Sequence, residues 1–226
     1  MKNLVILISG GGSNMAAIVR TAQRDNWAQR FQAQVTAVIS NRPDAKGLLY
    51  AQAQDVNTAV VDHQAFAHEA EPRAAFDAAL MQAIDALQPR LVVLAGFMRI
   101  LKEPVLSAYA DRIVNVHPSL LPAFPGLDTH RRALDAGVRF HGCTVHFVRT
   151  DVDSGPIVVQ AAVPVLPDDD EARLAARVLA AEHRCYPLAV RLVAEGRVRI
   201  VGGRAVVEGA AAPRGAALNP CDCASS

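Results

Sequence analysis

"LVILISGGGSNMAAIVRTAQ", residues 4–23, is the stretch that settles the fold class. Its first six residues are an apolar, β-branched run closed by a serine, with no polar alternation, the pattern of a strand buried on both faces. Three glycines (Gly10, Gly11, Gly12) end the run. Met15, Ile18, Val19 and Ala22 then recur at three- and four-residue spacing, as one face of a helix does. A strand that turns through glycines straight into a helix opens a βαβ unit.

The alternation continues downstream. "VTAVIS" (35–40), "TAVV" (58–61), "LVVLAG" (91–96) and "RIVNV" (112–116) read as further strands. Between them, "DAKGLLYAQAQ" and "HEAEPRAAFDAALMQAIDALQ" carry helical spacing. Strand–helix alternation predicts a parallel sheet with helices on both faces. After a proline-rich loop, "THRRALDAG" reads as a helix stopped by Gly137, and "CTVHFV" and "PIVVQAAVPV" as neighbouring strands. "DDDEARLAARVLAAEHRCYPLAVRLVAEG" closes the fold as a helix with acidic residues in its first turn, which Pro187 is expected to kink. From Gly209 onward periodicity disappears. This predicts one domain over 1–209 and a disordered tail over 210–226.

Composition narrows the function classes. The chain has 226 residues, 51% of them hydrophobic, ample for one large core. A formal net charge of +1 gives no bulk attraction to nucleic acid or anionic lipid. The four cysteines (Cys143, Cys185, Cys221, Cys223) lack framework spacing, which points to a reducing compartment. The N-terminal apolar run meets glycine too soon for a signal peptide, and a span would need roughly 20 apolar residues. A cytoplasmic protein is expected.

The glycine turn sits where open α/β sheets bind phosphates. Backbone amides of Gly11, Gly12, Ser13 and Asn14, with the Ser13 hydroxyl, can converge on an anion. The dinucleotide pattern fails, because Met15 stands where its third glycine belongs and "VISNRP" lacks the acidic ribose ligand. No Gly-Lys-Ser/Thr follows, so it is not a Walker loop either. The competing view is a plain strand-to-helix turn with Ser13 or Asn14 as cap.

"NVHPSLLPAFPG" (115–126) carries the chemistry. Its three prolines exclude helix and central strand, leaving a rigid loop after a buried strand. Asn115 and His117, two residues apart in extended backbone, share one face. An amide donor beside an imidazole is equipment for acyl transfer: one stabilises an oxyanion while the other handles a proton. "RTDVDSGPI" (149–157) offers Asp151 and Asp153, either of which could support the imidazole, though the same composition makes an ordinary turn. No nucleophile elbow occurs, which favours direct transfer between two bound substrates. Metal binding is disfavoured: His141 and His146 fall on opposite strand faces, and Cys221 with Cys223 supplies too few ligands.

Five motifs occur in order: "SGGGSN" (9–14), "AGFMRIL" (95–101), "NVHPSLLPAFPG" (115–126), "HGCTVHFV" (141–148) and "DVDSGPI" (151–157). Together they resemble the phosphoribosylglycinamide formyltransferases, folate-dependent enzymes of de novo purine synthesis, from about Leu4 to Gly209. The resemblance implies an α/β, doubly wound, mostly parallel sheet of Rossmann-like type with antiparallel C-terminal strands. It implies formyl transfer from 10-formyltetrahydrofolate, a co-substrate, to the amine of 5'-phosphoribosylglycinamide, with no metal. By the same resemblance Asn115, His117 and Asp153 are catalytic. Gly12, Ser13 and Asn14 hold the phosphate and Glu182 the ribose hydroxyls. Met98, Arg99, Ile100 and Leu101 line the folate pocket, which Asn115, Asp151 and Asp153 also border, and Arg73 meets the benzoylglutamate end. The expected partners are these small molecules, without nucleic acid or membrane, for a monomer or weak homodimer. The rivals are methionyl-tRNA formyltransferases, which carry a basic RNA-binding domain, and formyltetrahydrofolate hydrolases, which add a regulatory domain.

Overall fold

The computed structural model describes residues 1–209. The tail expected to be disordered, with Cys221 and Cys223, lies outside them. Strands β1 (Lys2–Ile8), β2 (Ala33–Ser40), β3 (Asn57–Val60), β4 (Leu91–Leu94), β5 (Ile113–His117), β6 (Phe140–Phe147) and β7 (Ile157–Pro164) form a sheet in the order β3-β2-β1-β4-β5-β6-β7. The first five run parallel, and β6 and β7 join antiparallel. The helices are α1 (Ser13–Arg24), α2 (Trp27–Phe31), α3 (Lys46–Gln52), α4 (Pro72–Asp85), α5 (Val105–Ala108), α6 (Thr129–Asp135) and α7 (Glu171–Glu195).

The unbroken apolarity of β1 follows from burial on both faces. Leu4, Ile6 and Ile8 join a core with Met15 and Ile18 of α1 and Val178 and Tyr186 of α7. Val5 and Leu7 point the other way, into a core with Phe76, Leu80 and Ile84 of α4 and Val105 and Leu106 of α5. Alternate side chains of one strand therefore feed two separate layers. Tyr186 adds a polar anchor: its hydroxyl donates to the Leu94 carbonyl at 2.8 Å, at the end of β4, and lies 3.1 Å from that of Val114 in the neighbouring β5.

Local structure adds detail at three points. The helix expected over 68–88 begins only at Pro72, which suits a first helical position, and a 3-10 turn (His63–Phe66) precedes it. The closing helix continues through Pro187 as a single element, Glu171–Glu195. A hairpin of β8 (Val198–Val201) and β9 (Arg204–Val207), turned by Gly202 and Gly203, was not anticipated. Among the described residues no helix is long and apolar enough to cross a membrane.

The strand order reverses between β1 and β4. At such a switch point the loops leaving the carboxyl ends diverge and open a crevice. That crevice receives the glycine turn after β1 and the 95–101 segment after β4, with the β5 residues Asn115 and His117 alongside.

Candidate active site

The glycine turn comes first. Gly12 caps α1 in a left-handed conformation (φ 67°), and a Cβ there would stand 2.9 Å from Met15 Cε and 3.3 Å from Gly47 Cα. Glycine is thus required by packing as well as by any ligand. Neither Ser13 nor Asn14 caps the helix, and their amides have no acceptor among the described residues. These donors sit at the positive end of the helix dipole, beside an exposed Ser13 side chain. Asn14 turns inward instead, and its Nδ2 donates to Glu182 Oε2 at 2.6 Å. Burial pushes the Glu182 carboxyl up, with the Asn14 amide acting against it. A cavity of about 460 Å³ opens over the turn, walled by Arg42 and His63 on one side and Met98 and Arg99 on the other.

The second group of residues is denser. Antiparallel register sets Asn115 opposite His146 and His117 opposite Thr144. His117 Nδ1 stands 3.2 Å from Asp153 Oδ2, and its Nε2 donates to the Phe124 carbonyl at 2.9 Å. The same Asp153 oxygen accepts the Gly126 amide at 2.9 Å. His146 Nε2 lies 3.6 Å from Asp153 Oδ1, too long for a hydrogen bond but close enough for charge attraction, while its Nδ1 donates to the Phe147 carbonyl at 3.0 Å. Asp153 thus lies between the two imidazoles, one carboxylate oxygen toward each ring. Burial works to raise the Asp153 carboxyl, but the His146 ring, the Gly126 amide and the charge of His117 outweigh it and hold the group below its ordinary value. The Asn115 side-chain amide makes no hydrogen bond among the described residues and borders a cavity.

The proline-rich loop supplies the backbone partners. Thr144 Oγ1 donates to the Ser119 carbonyl at 2.7 Å and accepts the Leu121 amide at 3.0 Å, and Ser119 Oγ donates to the Ala123 carbonyl at 2.6 Å. Thus tied to β6, the loop delivers the Phe124 carbonyl to His117 and the Gly126 amide to Asp153. The turn carrying Asp153 is equally constrained. Asp153 is left-handed (φ 54°), and a Cβ on Gly155 would stand 1.8 Å from the Phe147 carbonyl oxygen.

A smaller cavity of about 210 Å³ adjoins this centre, bordered by Asn115, His146, Asp153 and the whole of Met98–Leu101. Met98 and Ile100 are exposed there. Arg99 stacks 4.7 Å over the Phe76 ring. Arg73 donates to the Ile100 carbonyl at the rim, so it reaches the segment without forming its wall. Asp151 is exposed, outside that wall, and only its carbonyl is engaged, by the Ser154 hydroxyl. Of the two candidate carboxylates, Asp153 meets the imidazole.

The chain matches the family model described as formyl transferase over residues 2–190. The chain belongs to the formyltransferase family. It is 43% identical over 211 residues to the phosphoribosylglycinamide formyltransferase of Escherichia coli (strain K12), covering 93% of this chain and 96% of that protein. A trifunctional purine biosynthetic protein adenosine-3 of Drosophila melanogaster is 45% identical over 88% of this chain, which spans 14% of that longer protein. The crystal structure of glycinamide ribonucleotide transformylase 1 from Symbiobacterium toebii superposes with a TM-score of 0.84 at 47% identity, covering 92% of this chain and 94% of that one. Within the formyltransferases, this chain falls among those acting in purine biosynthesis, and it is an enzyme of one-carbon group transfer.

Sequence reasoning overlooked His146, treating it only as a partner for His141. The two rings part company: His141 meets His130 edge to face at 5.3 Å, and burial with that neighbour pushes it down to about 4. Among the described residues no cluster of three or more His, Cys, Asp or Glu is placed to hold a metal ion. Thr144 was overlooked too. Its signal was weak, one threonine in an apolar strand, and only the β5–β6 register reveals what it holds.

Proposed function

We propose that the protein transfers the formyl group of 10-formyltetrahydrofolate to the amine of 5'-phosphoribosylglycinamide, giving formylglycinamide ribonucleotide and tetrahydrofolate. The observation that supports this best is that Asn115 and Asp153, the latter paired with the buried His117, border the smaller cavity, which shares its Met98–Arg99 wall with the larger one. One cavity presents unpaired helix amides, suited to a phosphate. The other has an exposed apolar rim beside main-chain groups, suited to a flat pterin-like ring.

In this reading the amides of Gly12, Ser13 and Asn14 hold the phosphate, and Glu182 accepts from the ribose hydroxyls. Met98 to Leu101 flank the folate, Arg73 meets its carboxylate end, and the turn bearing Asp151 and Asp153 covers the ring. The substrate amine attacks the formyl carbon. The carbonyl oxygen gains the negative charge, which the free Asn115 amide and the His117 imidazolium stabilise. Asp153 keeps that ring charged and oriented. Both His117 nitrogens are engaged, so water carries the amine proton to N10 as the carbon–N10 bond breaks. The same proposal covers a cytoplasmic location, no resident metal, and a monomer or weak homodimer.

Purified enzyme supplied with 10-formyltetrahydrofolate and phosphoribosylglycinamide tests it, with other amines as controls. Formylation of phosphoribosylglycinamide is expected. Release of formate independent of any acceptor would overturn it in favour of a hydrolase.

A further inference from the structure

One buried side chain takes no part in the chemistry above. Ser9 ends the first strand run and is 6% exposed. Its hydroxyl accepts the Met98 amide at 2.8 Å and donates to Asn41 Oδ1 at 2.6 Å, and its own amide donates to the Gly96 carbonyl at 3.0 Å. Asn41 is 3% exposed and lies against His63, whose Nδ1 is 2.8 Å from the Asn41 carbonyl. One buried hydroxyl thus joins three segments: the glycine turn that Ser9 leads into, the Asn41–His63 wall of the larger cavity, and the 96–99 segment. That last segment is the wall common to both cavities, with Met98 and Arg99 lining each. Its outer surface is exposed, and its backbone is tied to the sheet through Ser9 at both Gly96 and Met98.

We infer that Ser9 is a positioning residue that couples the two substrate pockets, so that occupancy of either favours occupancy of the other. A ligand on the glycine turn fixes Ser9, which through the Met98 amide orders the wall that the second ligand meets. The second ligand then binds with less ordering left to do. The effect is reciprocal by linkage. The inference rests on the two-substrate reading above.

Calorimetry on the intact protein tests it with the non-reacting pair phosphoribosylglycinamide and tetrahydrofolate. In the native protein each ligand is expected to tighten the other by about fivefold or more, the lower end of typical coupling. Ser9→Ala should bring that factor to within twofold of unity while each separate affinity changes by less than about threefold. Asn41→Ala, which leaves the Ser9 hydroxyl without its acceptor, should lower the coupling as well, and it serves where Ser9→Ala does not fold. A merely structural role would weaken both separate affinities and leave the factor intact. Independent binding of both ligands to the native protein would overturn the inference, as would native coupling in a folded Ser9→Ala or Asn41→Ala. Failure of either ligand to bind the native protein would instead overturn the substrate assignment.

Discussion

The two sides of the site are built on opposite plans. Around Asp153 and His117 the protein itself supplies the partners: Phe124 and Asp153 meet the two His117 nitrogens, and the Gly126 amide meets Asp153. Around the glycine turn the first amides of α1 and the Ser13 hydroxyl are left without partners among the described residues. The difference teaches a division of labour. Groups that stabilise charge during reaction are held in place beforehand, because any reorganisation at that moment adds to the barrier. Groups that bind a ligand gain most when the ligand supplies the missing partner. Asn115 stands between the plans, on the rigid strand with its amide still free.

The largest effect should come from the densest part. Asp153→Asn removes the charge between His117 and His146 while keeping side-chain size, and turnover should fall by about 10²–10⁴. The His117 ring Nδ1 proton resonance, followed by NMR, should move in the variant, because the carboxylate 3.2 Å away is lost. An unchanged His117 resonance would break the pairing even with activity lost.

Asn115→Ala should follow, lowering kcat by about 10²–10³ with little change in substrate affinity, as removal of one oxyanion donor does. Steady-state kinetics that moved KM alone would place Asn115 with the binding groups.

The glycine side should give a smaller and differently shaped response. Ser13→Ala should weaken phosphoribosylglycinamide by about tenfold, a lost hydrogen bond to a charged group, and leave folate titrations unchanged. Gly12 is a poor probe of the same contact, since a side chain there meets Met15 and Gly47 whatever is bound.

The smallest effect is on acid stability. The Asp153 carboxyl lies below its ordinary value in the folded chain, so it contributes stability above the unfolded carboxylate range, and this is lost as pH falls through the depressed value. Melting temperatures taken downward from about pH 5 should therefore decline more steeply for the native protein than for Asp153→Asn. Parallel slopes would show that Asp153 is not held below its ordinary value.

Much of this was legible in the amino-acid order. Strand and helix periods are properties of local backbone geometry, so the five parallel strands, α1 and the shared face of Asn115 and His117 could be read from spacing alone. The β8–β9 hairpin escaped because its strands are short and partly exposed, although Gly202-Gly203 between two valine-rich runs was a usable turn signal.

What spacing could not decide was who meets whom across distance. That Asp153 reaches His117 while Asp151 faces solvent depends on a left-handed residue in a turn pressed against Phe147. That His146 joins them depends on the register of β6 against β5. That the proline-rich loop serves the site through the Phe124 carbonyl and the Gly126 amide depends on Thr144 and Ser119 holding its backbone. Backbone groups are chemically alike at every residue, so only tertiary packing could select the ones that orient the His117 imidazole and the Asp153 carboxylate.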